Sequence, residues 1–168
     1  MHKLRRFGFN AIKESFDRLP TAVCFFDRSG GIVLCNRQMY RLSQYLLNSD
    51  LQYLEELQKA LASPPKGIMH LASPEDTYRF PDGLVWKFER AAVTDRYGET
   101  YIQLTAADVT ALHRALEQLA EDNRRLEQDA EKLRRLSENV AAVARERDRK
   151  STRQNSSHNV ASRMPSSA

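Results

Sequence analysis

The seam at Asp108-Val109-Thr110 constrains what this chain can fold into more than any other stretch. An alternating apolar run from Tyr101 to Thr105 leads into it, and a leucine repeat follows at once. Leu112, Leu119, Leu126 and Leu133 recur every seven residues, with Leu116, Asn123 and Ala130 in the companion positions. Seven-residue spacing marks a helix that pairs with another along one stripe. A strand that runs without a linker into such a helix joins the movement of a sheet to the register of two helices. The expectation is therefore a protein that passes a signal along this joint.

With 168 residues, one domain and an extended element are expected. No apolar run approaches the roughly 20 residues of a membrane span, and the start lacks a signal-peptide core. The reading is a soluble, cytoplasmic chain. From Arg145 onward there are six Lys/Arg against two Asp/Glu, which accounts for the whole net charge of +4. Residues 1–144 carry 20 charges of each sign, so the net charge says little about what the folded part binds, and Arg145 to Lys150 is too interrupted by acids to favour nucleic acid. Two cysteines, Cys24 and Cys35, are too few for a disulfide scaffold or a zinc site. In a reducing compartment they are free thiols.

The spacing of Phe9, Ile12, Phe16 and Leu19 predicts an amphipathic helix over residues 1–20, with Asn10 as its N-cap and Pro20 as its stop. A hairpin follows, Ala22–Asp27 and Ile32–Asn36 around Gly30 and Gly31. Asn36 caps a helix through Met39, Tyr40, Leu42 and Leu46, and Leu51 to Leu61 gives another. A second hairpin turns at Pro81-Asp82-Gly83 between Thr77–Phe80 and Leu84–Val93, and Glu99–Ala107 is the last strand. This is an α+β order: an antiparallel five-stranded sheet with helices on one face, followed by a long coiled-coil helix. The expected domains are residues 1–20 as helix, 21–110 as the folded sensor, 111–148 as coiled coil and 149–168 as a disordered tail.

Leu19-Pro20, Phe26-Asp27, Gly31-Ile32-Val33 and Asn36, in that order, resemble the opening of a PAS domain. Tyr101 to Leu104 followed by Asp108-Val109-Thr110 resembles the junction that closes many signalling PAS domains. The similarity covers roughly residues 10 to 111.

On their own chemistry, Asp108 and Thr110 can each accept backbone N–H groups where the long helix starts. The resemblance implies more: that both side chains tie the helix to the sheet and transmit its movement. Asn123 falls on the inward stripe between Leu119 and Leu126, where a buried amide costs stability but fixes register and favours a parallel dimer. In such a pair Asp122 faces Glu127 unfavourably and Asp129 faces Arg134 favourably, so Leu112, Leu116, Leu119, Leu126 and Leu133 must carry the pairing. Leu133, Leu136, Val140 and Val143 form a second stripe, shifted by three residues from the first.

PAS domains often enclose ligands, and here Phe26, Leu42, Met69, Trp86 and Phe88 are the candidate lining, with plain core as the alternative. No flavin-type cysteine motif occurs in the short helices, His70 stands alone as a haem candidate, and no cofactor or metal is expected. There is no Walker loop, no Ser/His/Asp set and no paired metal ligands. His158 is followed by Asn159 but lacks the helical apolar surroundings of a phosphoacceptor, so the catalytic residues are none.

By resemblance the chain is expected to be the input region of a two-component sensor histidine kinase, a parallel homodimer cut short of its output. Kinase domains and a response regulator would be its downstream partners. Two alternatives stay open: the input of a cyclic-dinucleotide signalling protein, and a stand-alone dimerising adaptor.

Overall fold

The computed structural model describes residues 8–161, with side chains through residue 157. The element order is α1 (Phe9–Asp17), β1 (Ala22–Phe26), β2 (Ile32–Cys35), α2 (Arg37–Leu47), α3 (Leu54–Ala62), β3 (Met69–Leu71), β4 (Thr77–Arg79), β5 (Val85–Thr94), β6 (Thr100–Asp108) and α4 (Thr110–Ala161). The chain divides into two units, residues 1–115 and 116–168.

The sheet has six strands in the order β2-β1-β6-β5-β4-β3, every pair antiparallel. Five strands are expected from the sequence; the sixth is β3, which pairs only with β4, at the far edge. Three residues are too few to display a two-residue alternation, which is why Met69–Leu71 has no signature of its own. The first and last strands lie side by side in the middle, with Ala22 opposite Ala106 and Phe26 opposite Ile102.

Alternation sets the core. Ala22, Cys24 and Phe26 share one face of β1 and are fully buried, and Leu104 and Ala106 of β6 and Trp86 and Phe88 of β5 are buried with them. The helices meet that face. In α2 the buried residues are Met39, Leu42, Ser43 and Leu46, the three-and-four spacing of one helical stripe, and α3 adds Leu54 and Leu57. Residues 89–94 of β5 are exposed, so the core sits at the end of the β5–β6 hairpin where α4 begins.

Asn36 caps α2 through its Oδ1, which accepts the Met39 N–H at 3.0 Å. At α1 the cap is Gly8 rather than Asn10. Asn10 lies within the first turn, because the apolar stripe already begins at Phe9.

The long helix departs from expectation at its far end. Residues 149–161 continue α4, where the sequence predicts the start of a disordered tail. No Gly or Pro interrupts 110–161. The hydroxyls of Thr152 and Ser157 donate to the carbonyls of Asp148 and Arg153, so these weak helix formers are satisfied within the helix. Residues 162–168 of that expected tail lie outside the described residues, as do residues 1–7 of the expected first helix and the side chain of His158. Among the described residues no helix is long and apolar enough to cross a membrane.

Candidate functional site

Asp108 ends β6 opposite Trp86, and α4 starts two residues later. Five hydrogen bonds knit this corner. The Val109 N–H donates to the Val85 carbonyl at 2.8 Å, extending the β5–β6 ladder by one step. The Val85 N–H donates to Thr110 Oγ1 at 2.9 Å. Thr110 donates twice to Asp108 Oδ1, from its backbone N–H at 2.9 Å and from its hydroxyl. His113 N–H then donates to the Val109 carbonyl at 2.8 Å, closing the first helical turn.

Asp108 thus accepts a backbone N–H at the helix start. Thr110 behaves differently from the sequence expectation: its hydroxyl accepts from β5, not from an N–H of its own helix. The first residue of α4 is fastened to the first residue of β5, with Asp108 orienting the hydroxyl. Thr110 is buried at 7% exposure, which removes competing water from these bonds. The partner on the sheet, Val85, contributes only its main chain, and so carries no sequence signature.

The repeat residues on α4 are open to solvent. Leu112, Leu119, Leu126 and Leu133 are between 56% and 67% exposed, and Leu116 is 46% exposed. Asn123 is exposed on the same helix. Leu136, Val140 and Val143 are equally bare. A row of large aliphatic side chains along one helix is far more apolar surface than isolated exposed residues present.

The candidate pocket lining separates into two sets. Phe26, Leu42, Trp86 and Phe88 belong to one packed core cluster. Met69 does not: it lies on β3 at the sheet edge, 58% exposed. His70, beside it, is exposed and stacks on Tyr78 with ring centroids 4.7 Å apart. Leu42 and Trp86 also line an open groove of about 740 Å³ together with Tyr45, Arg41, Asp82 and Asp108, which brings the seam and part of the core to one surface. Among the described residues no group of three or more His, Cys, Asp or Glu could hold a metal ion.

Asn36 does more than its sequence position announces. It is fully buried and makes four side-chain hydrogen bonds: Oδ1 accepts from Val23 and Met39, and Nδ2 donates to the carbonyls of Phe16 and Thr21. One amide therefore holds the end of α1, the start of β1 and the start of α2. Only the α2 cap is legible from residue type; the other partners are backbone groups from 13 to 20 residues away.

Neither the protein-family models nor the curated proteins include a match to this chain.

Proposed function

We propose that this chain is a sensory input module of the PAS type, which converts a rearrangement of its sheet into a change in a paired helix. In this reading it serves as the input region of a two-component sensor histidine kinase. Kinase domains and a response regulator would act downstream of α4. In this reading two copies pair in parallel through Leu112, Leu116, Leu119, Leu126 and Leu133, with Asn123 fixing the register.

The observation that carries the reading is the corner at Asp108 and Thr110. A sheet strand passes into a 52-residue helix with a single residue between them. The helix start is hydrogen-bonded to the neighbouring strand β5 as well as to its own. A shift of β5 relative to β6 must therefore move Val85 against Thr110 or break their bond. The exposed stripe that follows supplies the second requirement, a surface that a partner helix would bury.

Light scattering tests the pairing. The full chain is expected to be a dimer at tens of micromolar, where a real interface should hold, and a chain ending at Thr110 to be folded but much more weakly associated. A monomeric full chain at that concentration would remove the basis of the proposal.

A further inference from the structure

Cys24 and Cys35 are directly opposite one another on β1 and β2. The bonding on either side of them fixes what kind of pair they are. One step towards the strand end, Asn36 N–H donates to the Val23 carbonyl at 3.0 Å, and Val23 N–H donates to Asn36 Oδ1 at 3.0 Å. Val23 and Asn36 thus occupy a hydrogen-bonded position, with a side chain supplying the second bond. Alternation makes Cys24 and Cys35 a non-hydrogen-bonded pair. At such positions antiparallel Cα atoms approach to about 4.5 Å and the side chains lie closest. That separation falls within the roughly 4.4–6.8 Å that a disulfide spans.

The two thiols share a face of the sheet but differ in access. Cys24 is fully buried in the core. Cys35 is partly exposed and lines an open groove of about 250 Å³ with Ile32, Leu34, Tyr40, Asp50 and Leu51. The strand that carries it, β2, is at the edge of the sheet, four residues long and irregular beside Phe25 and Phe26. An edge strand of this kind can adjust to a bond with its neighbour without disturbing the centre of the sheet.

We propose that Cys24 and Cys35 are an oxidisable dithiol, which hydroperoxide entering by the groove beside Cys35 converts to a cross-strand disulfide. In the first step the Cys35 thiolate attacks one peroxide oxygen, the O–O bond breaks, hydroxide leaves and Cys35 becomes a sulfenic acid. In the second the Cys24 sulfur attacks the Cys35 sulfur, the S–O bond breaks, and the Cys24 proton departs with the oxygen as water. Two thiols and one hydrogen peroxide give one disulfide and two waters. Burial sets the pace. It pushes the Cys35 thiol up to about 11, the negative charge of Asp17 adding to the effect. It pushes Cys24 higher still. The reactive thiolate is therefore scarce at neutral pH, and the rate rises about tenfold for each pH unit below that value. The disulfide would staple the edge strand to β1, whose other neighbour is β6, the strand that ends at Asp108. This inference rests on the β1–β2 pair alone and stands whether or not the chain is a sensor.

The experiment is treatment of the full chain with excess hydrogen peroxide at pH 8 and pH 9, followed by denaturation in an alkylating agent and peptide mass analysis. The expected product is a single chain lighter by two hydrogens, with a peptide joining residues 24 and 35. It should form about ten times faster at the higher pH and melt at least about 5 °C higher than the reduced chain. In Cys24→Ser, the Cys35 sulfenic acid should accumulate and be trapped by dimedone; in Cys35→Ser, Cys24 should stay reduced. Should the native chain give only chain-to-chain disulfides, over-oxidised Cys35 without the link, or two thiols still free after hours at pH 9, the proposal is overturned. The native chain decides the matter even if a serine variant fails to fold.

Discussion

The backbone N–H of Val85 donates to the side chain of Thr110 at 2.9 Å, and the carbonyl of the same Val85 accepts from Val109. One residue of β5 therefore uses both of its main-chain groups to hold the start of α4. The donor is buried, so if Thr110 loses its hydroxyl the N–H has nowhere else to go. An unsatisfied buried donor costs about 1–3 kcal/mol, more than the roughly 1 kcal/mol of an ordinary helix cap. That asymmetry separates a fastening from a cap, and it can be measured.

Thr110→Val, which keeps the shape and removes the hydroxyl, should lower stability by about 1–3 kcal/mol. Thr110→Ser should recover most of the loss. Trp86 is the chain's one tryptophan and sits opposite Asp108 across the ladder, so urea unfolding followed by its fluorescence reports on this corner. If the Val and Ser variants unfold within a few tenths of a kcal/mol of each other, the Val85–Thr110 bond is not holding the joint.

Asp108→Ala should cost roughly 1 kcal/mol through the lost acceptor at the helix start, while leaving pairing along Leu112 to Leu133 intact. Its effect on coupling is read separately. A cysteine placed at Leu126, in a background with Cys24 and Cys35 changed to serine, cross-links between copies at a rate that reports the helix state. Parent and Asp108→Ala chains are compared under perturbation of the sheet by mild urea. Equal responses would show that Asp108 is a cap and nothing more.

Asn36 supports the same domain by holding α1, β1 and α2 together. Asn36→Ala leaves up to four backbone groups without partners, the buried N–H groups of Val23 and Met39 and the part-buried carbonyls of Phe16 and Thr21, so a loss of about 3 kcal/mol is expected. Asn36→Asp retains the acceptor but turns a carboxylate towards the carbonyls of Phe16 and Thr21, where two donors stood. Repulsion disfavours the charged form, which raises the folded-state pKa of the new group. A raised pKa means that stability is retained at low pH and lost as pH rises through it. The Asp variant should accordingly melt higher at pH 4 than at pH 7 when each is compared with the parent at the same pH. The reverse order would mean that the amide donors do not reach those carbonyls.

How much of this was readable beforehand follows from which groups carry each contact. The first helix declares itself in the spacing of Phe9, Ile12 and Phe16, and the α2 cap in an asparagine placed after a strand. The long helix is legible as a repeat of side chains. The corner is legible only in half: Asp108 and Thr110 stand out as residue types, but the group that Thr110 binds is a main-chain N–H in β5, and all residues but proline have one. The same is true of Asn36, three of whose bonds reach groups distant in sequence. Met69 shows the converse, an apolar side chain that belongs by type to the core and by position to a short edge strand, where no layer covers it.

Alkaline stability gives a test of the β1–β2 geometry in the reduced state. The Cys35 thiol titrates near 9.0 when free and at about 11 in the fold. A raised value contributes stability that is fully present below 9.0 and is lost as pH climbs towards 11. Reduced parent protein should lose stability between these limits, and Cys35→Ser should lose less over the same window. If both fall in parallel, Cys35 is not shielded as β2 places it.

Position 123 decides whether the exposed stripe on α4 is an interface. The repeat puts Asn123 between Leu119 and Leu126, and on the helix all three are open to solvent. Charges near it do little to define a partner: Glu121 is taken by Arg124 and Arg125 of the same helix, and Glu131 by Arg134 and Arg135. Such exposed pairs are worth only a few tenths of a kcal/mol each. The apolar residues must supply the affinity and the amide the register. In a parallel pair, Asn123→Leu replaces two facing buried amides by hydrocarbon, so the variant should melt higher than the parent. It should also lose its preference for two chains, because the amide pair that selects against other assemblies is gone. On an unpaired helix the same substitution adds an exposed leucine and changes stability by a few tenths of a kcal/mol at most. Thermal melts at two protein concentrations, with light scattering on the same samples, separate the cases. A higher and concentration-dependent melt with mixed assembly sizes supports the interface; a melt at or below that of the parent shows that residue 123 faces no partner, and the heptad phase on which the sensor reading depends is wrong.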